Sequence, residues 1–387
     1  MPDRGVLVLA TSDYYLPGNK GGGAVRALAN MVSCLGDTVV FKVVTRDRDL
    51  GDDVAYPQIV PNSWNRLDGA EVMYVPPKGD FLALLKLVRK LPVDILYLNS
   101  FFSPVFSIWL LVLRKCGLVP AREVIVAPRG EFSPGAIKIK RIKKLVYIVL
   151  AKALRLYRDV TWHVSTEFER IDVQRYWGRE AKVVIARDCL PKMAEEIMFS
   201  ARGKRRGLAD IVFLSRICRK KNLDGAIAML AELQGEVRMR IYGPKEDSDY
   251  WQECQAIIDQ LPGHIRVEYC GAVAHEEVLR VLAQHHLFFL PTHGENFGFV
   301  IVEALLSGCP VLISDQTPWR DLRTKGIGWE FPVMERQRFR EALQACIDMD
   351  QAAFSALSKQ AWEYGMKILR EDPGAEQSSR LFKRVLA

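Results

Sequence analysis

Short runs of β-branched and apolar residues alternate with amphipathic stretches of about 10–15 residues along most of the chain. In the first half, the runs are VLVLA (6–10), VVFKVVT (39–45), VMYV (72–75), DILYLNS (94–100), EVIVAP (123–128), VTWHVS (160–165) and KVVIAR (182–187). Helical patterns lie between them at 24–35, 80–90, 103–116, 138–158 and 167–177. This alternation is typical of βα units wound around a parallel sheet, so it predicts an α/β fold.

The alternation is interrupted from 190 to 209, where the polar basic string 200–207 predicts an exposed linker. It then resumes with DIVFLS (210–215), VRMRIYG (237–243), IRVEYCG (265–271), LFFLPT (287–292), PVLIS (310–314) and GWEFPV (328–333). We therefore predict two Rossmann-like doubly wound domains, at 1–195 and 207–360, with C-terminal helices at 361–387 that pack back on the first. Ligands of such sheets bind outside the carboxyl ends of the strands, so we expect a ligand cleft between the two domains.

The composition is that of a globular protein. Of the 387 residues, 49% are hydrophobic and 26% are charged, which excludes a disordered or fibrous chain. The most apolar run, 105–113, is nine residues long, well short of the ~20 needed to span a bilayer. The N-terminus shows no signal-peptide pattern, and the eight cysteines are scattered without C-x-x-C or zinc-ligand spacing. We therefore expect reduced thiols and a cytoplasmic location.

The net charge of +8 is concentrated in one segment. Residues 1–200 carry 29 Lys and Arg against 21 Asp and Glu, whereas residues 201–387 carry 25 of each. Within the first part, residues 101–158 hold 12 basic and two acidic residues, a local excess of +10. Such a concentration indicates an anionic partner at this place. Nucleic acid is not expected, because no recognition module is present and aromatic residues are not interleaved with the cations.

The segment from 137 to 158 combines this charge with an amphipathic helical pattern. One face of the predicted helix carries Leu145, Ile148, Val149, Lys152 and Leu156. Basic amphipathic helices bind anionic membrane surfaces. The lysines expected to contact a membrane are Lys138, Lys140, Lys143 and Lys144. The alternative is a domain helix packed on its sheet, which must hold for at least part of the segment.

The stretch PTHGENFGFVIVEALLSGCP (291–310) carries the most specific pattern. A strand ends at Pro291, a polar loop follows, and a helix is predicted from Phe299 onward. Glu295 then lies in the loop and Glu303 about one turn into the helix. Free amides at a helix N-terminus bind anions, while carboxylates bind hydroxyls, so the combination suits a nucleotide sugar. Alternatively, Glu295 is a solvated loop residue and Glu303 a partner of the helix dipole.

This motif, Glu-x7-Glu preceded by Leu-Pro-Thr and followed by Gly-Cys-Pro-Val, resembles the donor site of the retaining family 4 glycosyltransferases, which have the GT-B fold. The resemblance extends over nearly the whole chain and is strongest across 210–322. It implies that Glu295 binds hydroxyls of the donor sugar and that Glu303 binds the ribose hydroxyls of the nucleotide. It also implies that Asn296, Phe297, Gly298 and Gly243 bind the donor.

Four cations follow the first strand of the second predicted domain, in LSRICRKKN (214–222). Cations at the carboxyl end of a strand suit a pyrophosphate whose charge grows as a bond breaks, although such a cluster is plain surface in most proteins. The Arg-x4-Lys-Asn spacing is similar to a pair in the family, which implies that Arg216 and Lys221 hold the leaving diphosphate. Arg219 and Lys220 are expected to be solvated.

Two loops of the first predicted domain are weaker candidates. The loop NKGGG opens the first helix, and glycines let a backbone approach a phosphate closely. The resemblance implies donor contact there through Gly22 and Gly23. The loop 127–135 lacks the histidine that many relatives carry near the transferred sugar. It offers Arg129 and Glu131 instead, either for a phosphate or anionic acceptor or as an Arg–Glu pair that stabilises the loop.

The resemblance and the residues together predict a hexosyltransferase. It would move a sugar from a UDP- or GDP-linked donor to a glycan or lipid-linked saccharide, with retention of configuration. Family members lack an obvious enzymic nucleophile, and the departing phosphate oxygen helps to deprotonate the acceptor. With two cations placed beside the diphosphate, Lys221 and Arg216 would replace a metal, and no cofactor is expected. The expected setting is polysaccharide or lipopolysaccharide biosynthesis, peripheral at the inner face of the cell membrane.

Two alternatives use the same architecture. A nucleotide-sugar epimerase needs acid–base carboxylates and histidines in the cleft, and no histidine stands near Arg129. Five histidines, His275 among them, are interpreted as structural, while His293 stands beside the donor motif. A non-catalytic donor-binding subunit would have a broken Glu-x7-Glu motif, whereas here the motif is intact. The product of incubation with nucleotide sugars and a membrane extract discriminates the three.

Overall fold

The computed structural model describes residues 6–77, 80–192, 197–200 and 202–386. The chain divides into two compact units, of which unit 1 comprises Met1–Lys192 and Asp372–Ala387, and unit 2 comprises Met193–Glu371. The sequence places the start of the C-terminal helices at 361. In the structure the second unit continues past that point, because a single uninterrupted helix extends to Arg370.

The strands are β1 Val6–Thr11, β2 Val39–Arg46, β3 Trp64–Leu67, β4 Ala70–Val75, β5 Ile95–Leu98, β6 Glu123–Val126, β7 Thr161–Val164, β8 Val183–Ile185, β9 Leu208–Leu214, β10 Glu236–Tyr242, β11 Ile265–Tyr269, β12 Leu287–Leu290, β13 Val311–Ser314 and β14 Gly328–Phe331. The helices are α1 Gly23–Leu35, α2 Asp80–Lys90, α3 Leu110–Lys115, α4 Pro134–Lys138, α5 Arg141–Ala153, α6 Glu167–Trp177, α7 Leu223–Ala228, α8 Ser248–Ile258, α9 His275–Ala283, α10 Phe299–Leu306, α11 Arg336–Asp348, α12 Gln351–Arg370 and α13 Gly374–Leu386.

Unit 1 is built on an eight-stranded sheet in the order β3-β4-β2-β1-β5-β6-β7-β8. Neighbouring strands run parallel except β3, which pairs antiparallel with β4. The central strands are buried on both faces, as expected for a parallel sheet covered by helices. In α13, Phe382 packs edge-on against Phe41 with ring centroids 6.0 Å apart, and Gln377 accepts a hydrogen bond from the Arg187 amide at 2.8 Å. The last helix is therefore part of the core of unit 1.

Unit 2 is built on six parallel strands in the order β11-β10-β9-β12-β13-β14. The long helix α12 lies close against α10, since a Cβ at Gly365 would stand 2.6 Å from the amide nitrogen of Leu306. Because β10, β9 and β12 are parallel neighbours, the segments that follow them meet at one edge of the sheet. The two predicted Rossmann-like sheets are thus confirmed.

The structure departs from the predicted elements in three places. β3 is absent from the predicted strands because its side chains are only partly buried or exposed, so it lacks an apolar run. The predicted helix 103–116 begins with a π-helical segment, Pro104–Trp109, before α3. The predicted helix 138–158 is broken at Lys140, whose φ of 56° is left-handed, into α4 and α5.

The predicted linker 200–207 is partly packed rather than exposed. Residue 201 of that linker lies outside the described residues, as do residues 193–196 before it. Lys204 is only 7% exposed, and its ammonium donates to the carbonyls of Arg205, Ile347 and Met349, each at 3.0 Å. Two of these carbonyls stand at the C-terminal end of α11, where unpaired carbonyls and the helix dipole favour a cation. This contact holds the segment before β9 on unit 2.

Candidate functional site

The loop between β12 and α10 is fixed by hydrogen bonds to the chain that follows β13. The amide of Glu295 donates to the carbonyl of Gln316 at 2.8 Å, and the indole of Trp319 donates to the carbonyl of Phe297 at 2.7 Å. Gly298, which caps α10, has a φ of 82°, a left-handed conformation that favours glycine. These contacts hold the backbone of 295–298 in one conformation at the N-terminus of α10.

Glu295 forms an ion pair with Lys221, which lies on the turn after β9. The two side chains are 16% and 10% exposed, so the pair is largely shielded from water. Burial disfavours ionisation of Glu295, but Lys221, Lys220 and Arg216 outweigh that effect and hold the pKa of the carboxyl below its usual range. An ionised carboxylate beside three cations can accept hydrogen bonds from hydroxyls while the cluster as a whole attracts an anion.

The turn that carries these cations is fastened to the end of β12 by Asn222. Residues 219–221 form a short 3-10 turn, and Asn222 follows with a φ of 59°. Its side-chain amide donates to the carbonyl of Pro291 at 2.8 Å. Asparagine tolerates this left-handed conformation better than most residues and supplies the donor as well. Asn222, the second residue of the Lys-Asn pair in the motif, therefore has a structural role.

Two arginines of the turn are held by glutamates at the surface. Arg216 pairs with Glu246 at 2.8 Å and is 33% exposed. Arg219 pairs with Glu253 at 2.6 Å and is 54% exposed, in agreement with the expectation of a solvated residue. Arg216 therefore stands at the edge of the cluster, where a ligand phosphate would compete with one carboxylate.

Lys220 differs from the expectation that it is solvated. Burial and the neighbouring Lys221 lower the pKa of Lys220 to about 8, while Glu295 opposes that shift. The residue is also half-buried, so its side chain belongs to the cluster around Glu295 rather than to open solvent. The sequence signal for this residue was the basic run itself, which does not say which of its cations points inward.

Glu303 lies in the second turn of α10 with 15% of its side chain exposed. Its carboxylate stands 3.7 Å from Nδ1 of His275, the first residue of α9. From the sequence, His275 is predicted to be structural. The structure places it next to the Glu303 carboxylate, which is predicted to bind ribose. No local pattern links two residues that follow different strands, so this neighbour was missed.

Gly243 keeps the carboxyl ends of β9 and β10 in close contact. Its φ is 137°, and a Cβ there would stand 1.9 Å from the carbonyl oxygen of Ser215. The Gly243 carbonyl accepts a hydrogen bond from the hydroxyl of Tyr269 at 3.0 Å. No side chain fits at this point, directly before the turn that carries Arg216. Close packing against Ser215 therefore explains why this position holds a glycine. Contact of Gly243 with a donor stays a prediction.

In unit 1, the predicted glycine loop leads into α1. Gly22 has a φ of 71°, and the helix begins at Gly23, where a Cβ would meet nothing within 4 Å. The amides of Asn19 and Lys20 donate to the carboxylate of Asp49 at 2.7 and 3.0 Å. The loop is therefore anchored before the glycines and open at the helix N-terminus. Contact of this loop with a donor phosphate stays a prediction.

Arg129 and Glu131 do not pair with each other, so that alternative is wrong. Arg129 forms an ion pair with Asp188, and its side chain is 6% exposed. Glu131 accepts hydrogen bonds from the amides of Phe101 and Phe102 at 2.5 and 3.2 Å. A buried charge requires a partner, and each of these residues takes one from elsewhere in unit 1. Their contact with a phosphate or an acceptor stays a prediction.

The other donors of Arg129 extend this buried network. One terminal nitrogen donates to the Tyr97 hydroxyl at 2.8 Å, and that hydroxyl lies 2.6 Å from Nδ1 of His163. Burial and the charge of Arg129 lower the pKa of His163 to about 3, so the imidazole is neutral and structural, as expected. Across the described residues, no group of three or more His, Cys, Asp and Glu side chains is arranged to hold a metal ion.

The four lysines predicted to contact a membrane have different surroundings. Lys138, Lys140 and Lys143 are exposed. Lys144 instead donates to the Ala136 carbonyl at 2.7 Å and lies 4.9 Å from the centre of the Phe102 ring. Lys144 thus ties α5 to α4 across the break at Lys140. None of the described helices has the length and hydrophobicity to cross a bilayer.

The segment that builds the Lys221–Glu295 cluster is similar to a known family. Residues 195–363 match the family model for glycosyl transferases group 1. A curated relative, glycogen synthase of Mycobacterium tuberculosis (strain CDC 1551 / Oshkosh), is 31% identical to the chain over 123 residues. That match covers 30% of this chain and 28% of the relative, so it concerns one part of each protein.

Solved structures resemble the chain over nearly its whole length. The structure of HepE from Anabaena in complex with UDP and glucose has a TM-score of 0.71 at 16% identity and covers 98% of this chain and 100% of that one. Sucrose-phosphate synthase from Thermosynechococcus elongatus has a TM-score of 0.70 at 16% identity and covers 98% of both chains. These likenesses show the fold, GT-B with two Rossmann-like units, and confirm the predicted fold class.

Proposed function

We propose that the protein is a glycosyltransferase that moves a hexose from a nucleoside diphosphate sugar to an acceptor. The observation that carries this proposal is the shielded cluster in which Lys221 pairs with Glu295 beside Lys220 and Arg216. A nucleotide sugar needs cations for its diphosphate and a carboxylate for its hydroxyls at adjacent places. The match to the group 1 glycosyl transferases covers the segment that supplies all of these residues.

The donor is a UDP- or GDP-linked sugar in this proposal. Glu295 takes hydroxyls of the sugar, Glu303 takes the ribose hydroxyls, and the amides at 296–298 border the phosphates at the N-terminus of α10. The partial exposure of Glu303 supports its role, since a largely shielded carboxylate with 15% of its side chain exposed can still receive a ligand. The solved structure of HepE with UDP and glucose supports a uridine nucleotide as the first donor to test.

Transfer breaks the bond between the anomeric carbon and the phosphate oxygen, and it forms a bond from that carbon to the acceptor oxygen. The acceptor proton passes to the departing phosphate oxygen, so the nucleoside diphosphate leaves with one proton gained. We propose attack on the face from which the diphosphate leaves, which retains configuration. Negative charge grows on the leaving group, and Lys221 and Arg216 stabilise that charge more in the transition state than in the ground state. These cations take the place of a metal ion.

The acceptor is a glycan or a lipid-linked saccharide in this proposal, for cell-surface polysaccharide or lipopolysaccharide. The enzyme works at the inner face of the cell membrane. The local excess of +10 in residues 101–158 supports an anionic surface as its partner. The exposed positions of Lys138, Lys140 and Lys143 support it as well.

The test is incubation of the purified protein with radiolabelled UDP- and GDP-hexoses and a membrane extract. We expect label in a glycan or lipid product with the anomeric configuration of the donor, and its loss in Glu295→Gln but not in the exposed control Glu253→Gln. Free epimerised nucleotide sugar would indicate an epimerase, and bound but unreacted donor a donor-binding subunit. EDTA should leave the rate unchanged. Activity that is lost with EDTA and restored by magnesium would contradict the metal-free reaction.

A further inference from the structure

Helix α5 carries a row of aliphatic side chains on its outer face. Ile142 is 80% exposed, Val146 53%, Val149 65% and Leu150 54%, and Leu154 follows at 52% just after the helix. The spacing of these residues, four, three, one and four positions, keeps them on one side of a helix. We call these five residues the apolar ridge. The exposed apolar face differs from the face predicted from the sequence. Val149 is the one residue that the apolar ridge and the predicted face have in common.

The opposite face of α5 is the one that packs on unit 1. Ile148 is 3% exposed and Ala151 is fully buried. The Tyr147 hydroxyl lies 2.7 Å from the Tyr157 hydroxyl and ties the helix to the turn that follows it. Helix α5 thus packs on the core of unit 1 through this face, and the apolar ridge is a second apolar face that is exposed. Contiguous exposed aliphatic residues of this kind mark an interaction surface.

Cations predominate around the apolar ridge, and the acidic residues Glu123, Asp159 and Glu180 lie only beside its C-terminal cations. Residues 132–158 contain eight Lys and Arg and no Asp or Glu. Lys138, Lys140 and Lys143 are exposed near the N-terminal end of the ridge, and Arg155 and Arg158 are exposed beyond its C-terminal end. An aliphatic face bordered by cations fits a surface with an apolar interior and anionic groups around it.

These properties favour a bilayer over other occupants. A second copy of the chain would bring the same cations against one another. The centres of protein–protein interfaces are enriched in aromatic residues and depleted in lysine, whereas the ridge is purely aliphatic with lysines beside it. A 13-residue helix is about 20 Å long, too short to cross the ~30 Å hydrocarbon layer. It can therefore lie in the interface, parallel to the membrane plane.

We infer that α5 lies in the surface of an anionic bilayer with the apolar ridge among the acyl chains and its neighbouring cations at the headgroups. Only the purpose of this membrane contact, which is to bring unit 1 to a lipid-linked acceptor, rests on the proposed function. Lys144 has no part in it, because its ammonium is bound to the Ala136 carbonyl. Membrane binding through α5 needs neither donor nor acceptor.

The test is sedimentation of the full chain with phosphatidylcholine vesicles that contain phosphatidylglycerol. We expect binding at low salt that decreases with added salt, and an about tenfold or larger loss in Ile142→Asp/Val149→Asp. The matched control is Val60→Asp/Ile171→Asp, which adds the same charge at positions 61% and 47% exposed elsewhere in unit 1. This control should bind the vesicles within about twofold of the wild type, because its two added charges lie away from the membrane surface.

A second variant separates the cations from the ridge. Lys138→Gln/Lys140→Gln/Lys143→Gln should lose binding to anionic vesicles by about fivefold for each lysine removed. Amide hydrogen exchange across 141–153 should slow when wild-type protein is mixed with anionic vesicles. The UDP affinity of both variants should equal that of the wild type, because neither touches unit 2.

Three results would overturn the inference. The first is a wild type that ignores anionic vesicles at low salt, and the second is a ridge variant that binds like the wild type. The third is a wild-type dimer in solution that the ridge variant dissociates, which would assign the ridge to a second copy of the chain. A protein that binds vesicles but no nucleotide would leave the inference standing and contradict the proposed function instead.

Discussion

The carbonyl oxygen of Lys220 accepts a hydrogen bond from the amide of His293 at 2.8 Å. The same oxygen accepts a second hydrogen bond from the hydroxyl of Thr292 at 3.0 Å. The basic turn after β9 and the acidic loop after β12 are therefore joined through their backbones. Because the backbones are joined, the two segments that carry Lys221 and Glu295 are held at a fixed spacing. A site built in this way is preorganised for the charge that develops on a leaving diphosphate.

Glu303→Ala should weaken binding of a nucleoside diphosphate by about 1.5–3 kcal/mol, because ribose hydroxyls lose a charged acceptor. Calorimetric titration with UDP and GDP measures this change. Glu276→Ala, an exposed glutamate on α9 of the same unit, is the matched control and should bind like the wild type. An unchanged affinity in Glu303→Ala would remove this residue from the donor site.

Lys221→Ala should lower the turnover number strongly and raise the Michaelis constant of the donor much less. Its charge matters most as the diphosphate leaves, so the loss appears mainly in the chemical step. Arg219→Ala removes an exposed cation from the same turn and should leave both constants near their wild-type values. Steady-state kinetics with varied donor separates the two effects. Equal losses in the turnover number and in donor affinity would reduce Lys221 to a binding residue.

The affinity for a nucleoside diphosphate should fall as the pH rises through about 8, the pKa to which burial and Lys221 lower Lys220. Below that pH the ammonium is charged and attracts the diphosphate, and above it the attraction is lost, so binding near this pH takes up a proton. Titration calorimetry in buffers of different ionisation enthalpy measures the uptake. Lys220→Arg, whose side chain stays charged, should show a flat affinity over the same range. A wild type with a flat profile would place Lys220 outside the diphosphate site.

Gly243→Ala should destabilise the protein by at least about 2 kcal/mol, because the new methyl group would overlap the Ser215 carbonyl and the φ of 137° disfavours any side chain. Gly263→Ala is the control, since a Cβ there meets nothing within 4 Å. Urea unfolding followed by fluorescence compares their midpoints. Equal midpoints for the two variants would mean that the end of β10 moves freely away from β9.

The sequence predicts the buried parallel strands well because each is a short apolar run between turn residues. It misses β3, an edge strand without such a run, for the same physical reason. The start of α10 at Phe299 is also predicted, since glycine and a polar loop precede an apolar helix. The break at Lys140 is not, because lysine seldom adopts a positive φ and nothing local marks the change.

Within the candidate site, sequence spacing finds residues that belong to one motif but not their partners. The motifs point to Glu295 and to Lys221 separately, yet the direct pairing of the two residues depends on β9 and β12 being neighbours in the sheet. The contact of His275 with Glu303 depends on how two helices pack. The pairing of Arg129 with Asp188 likewise joins residues 59 positions apart. Such contacts follow from tertiary packing, which one sequence does not display.

The return of α13 to unit 1 has a consequence for folding during synthesis. The ribosome completes every residue of unit 2 before it makes α13, whose Phe382 fills the core of unit 1 beside Phe41. Domains fold as their chains emerge, so unit 2 can reach its native state while unit 1 still waits for its final helix. Until then, the apolar surface that α13 covers on α1 stays open to water and to chaperones. Nascent chains stalled after Glu371 should therefore hold a protease-resistant unit 2 beside a unit 1 that is readily cleaved.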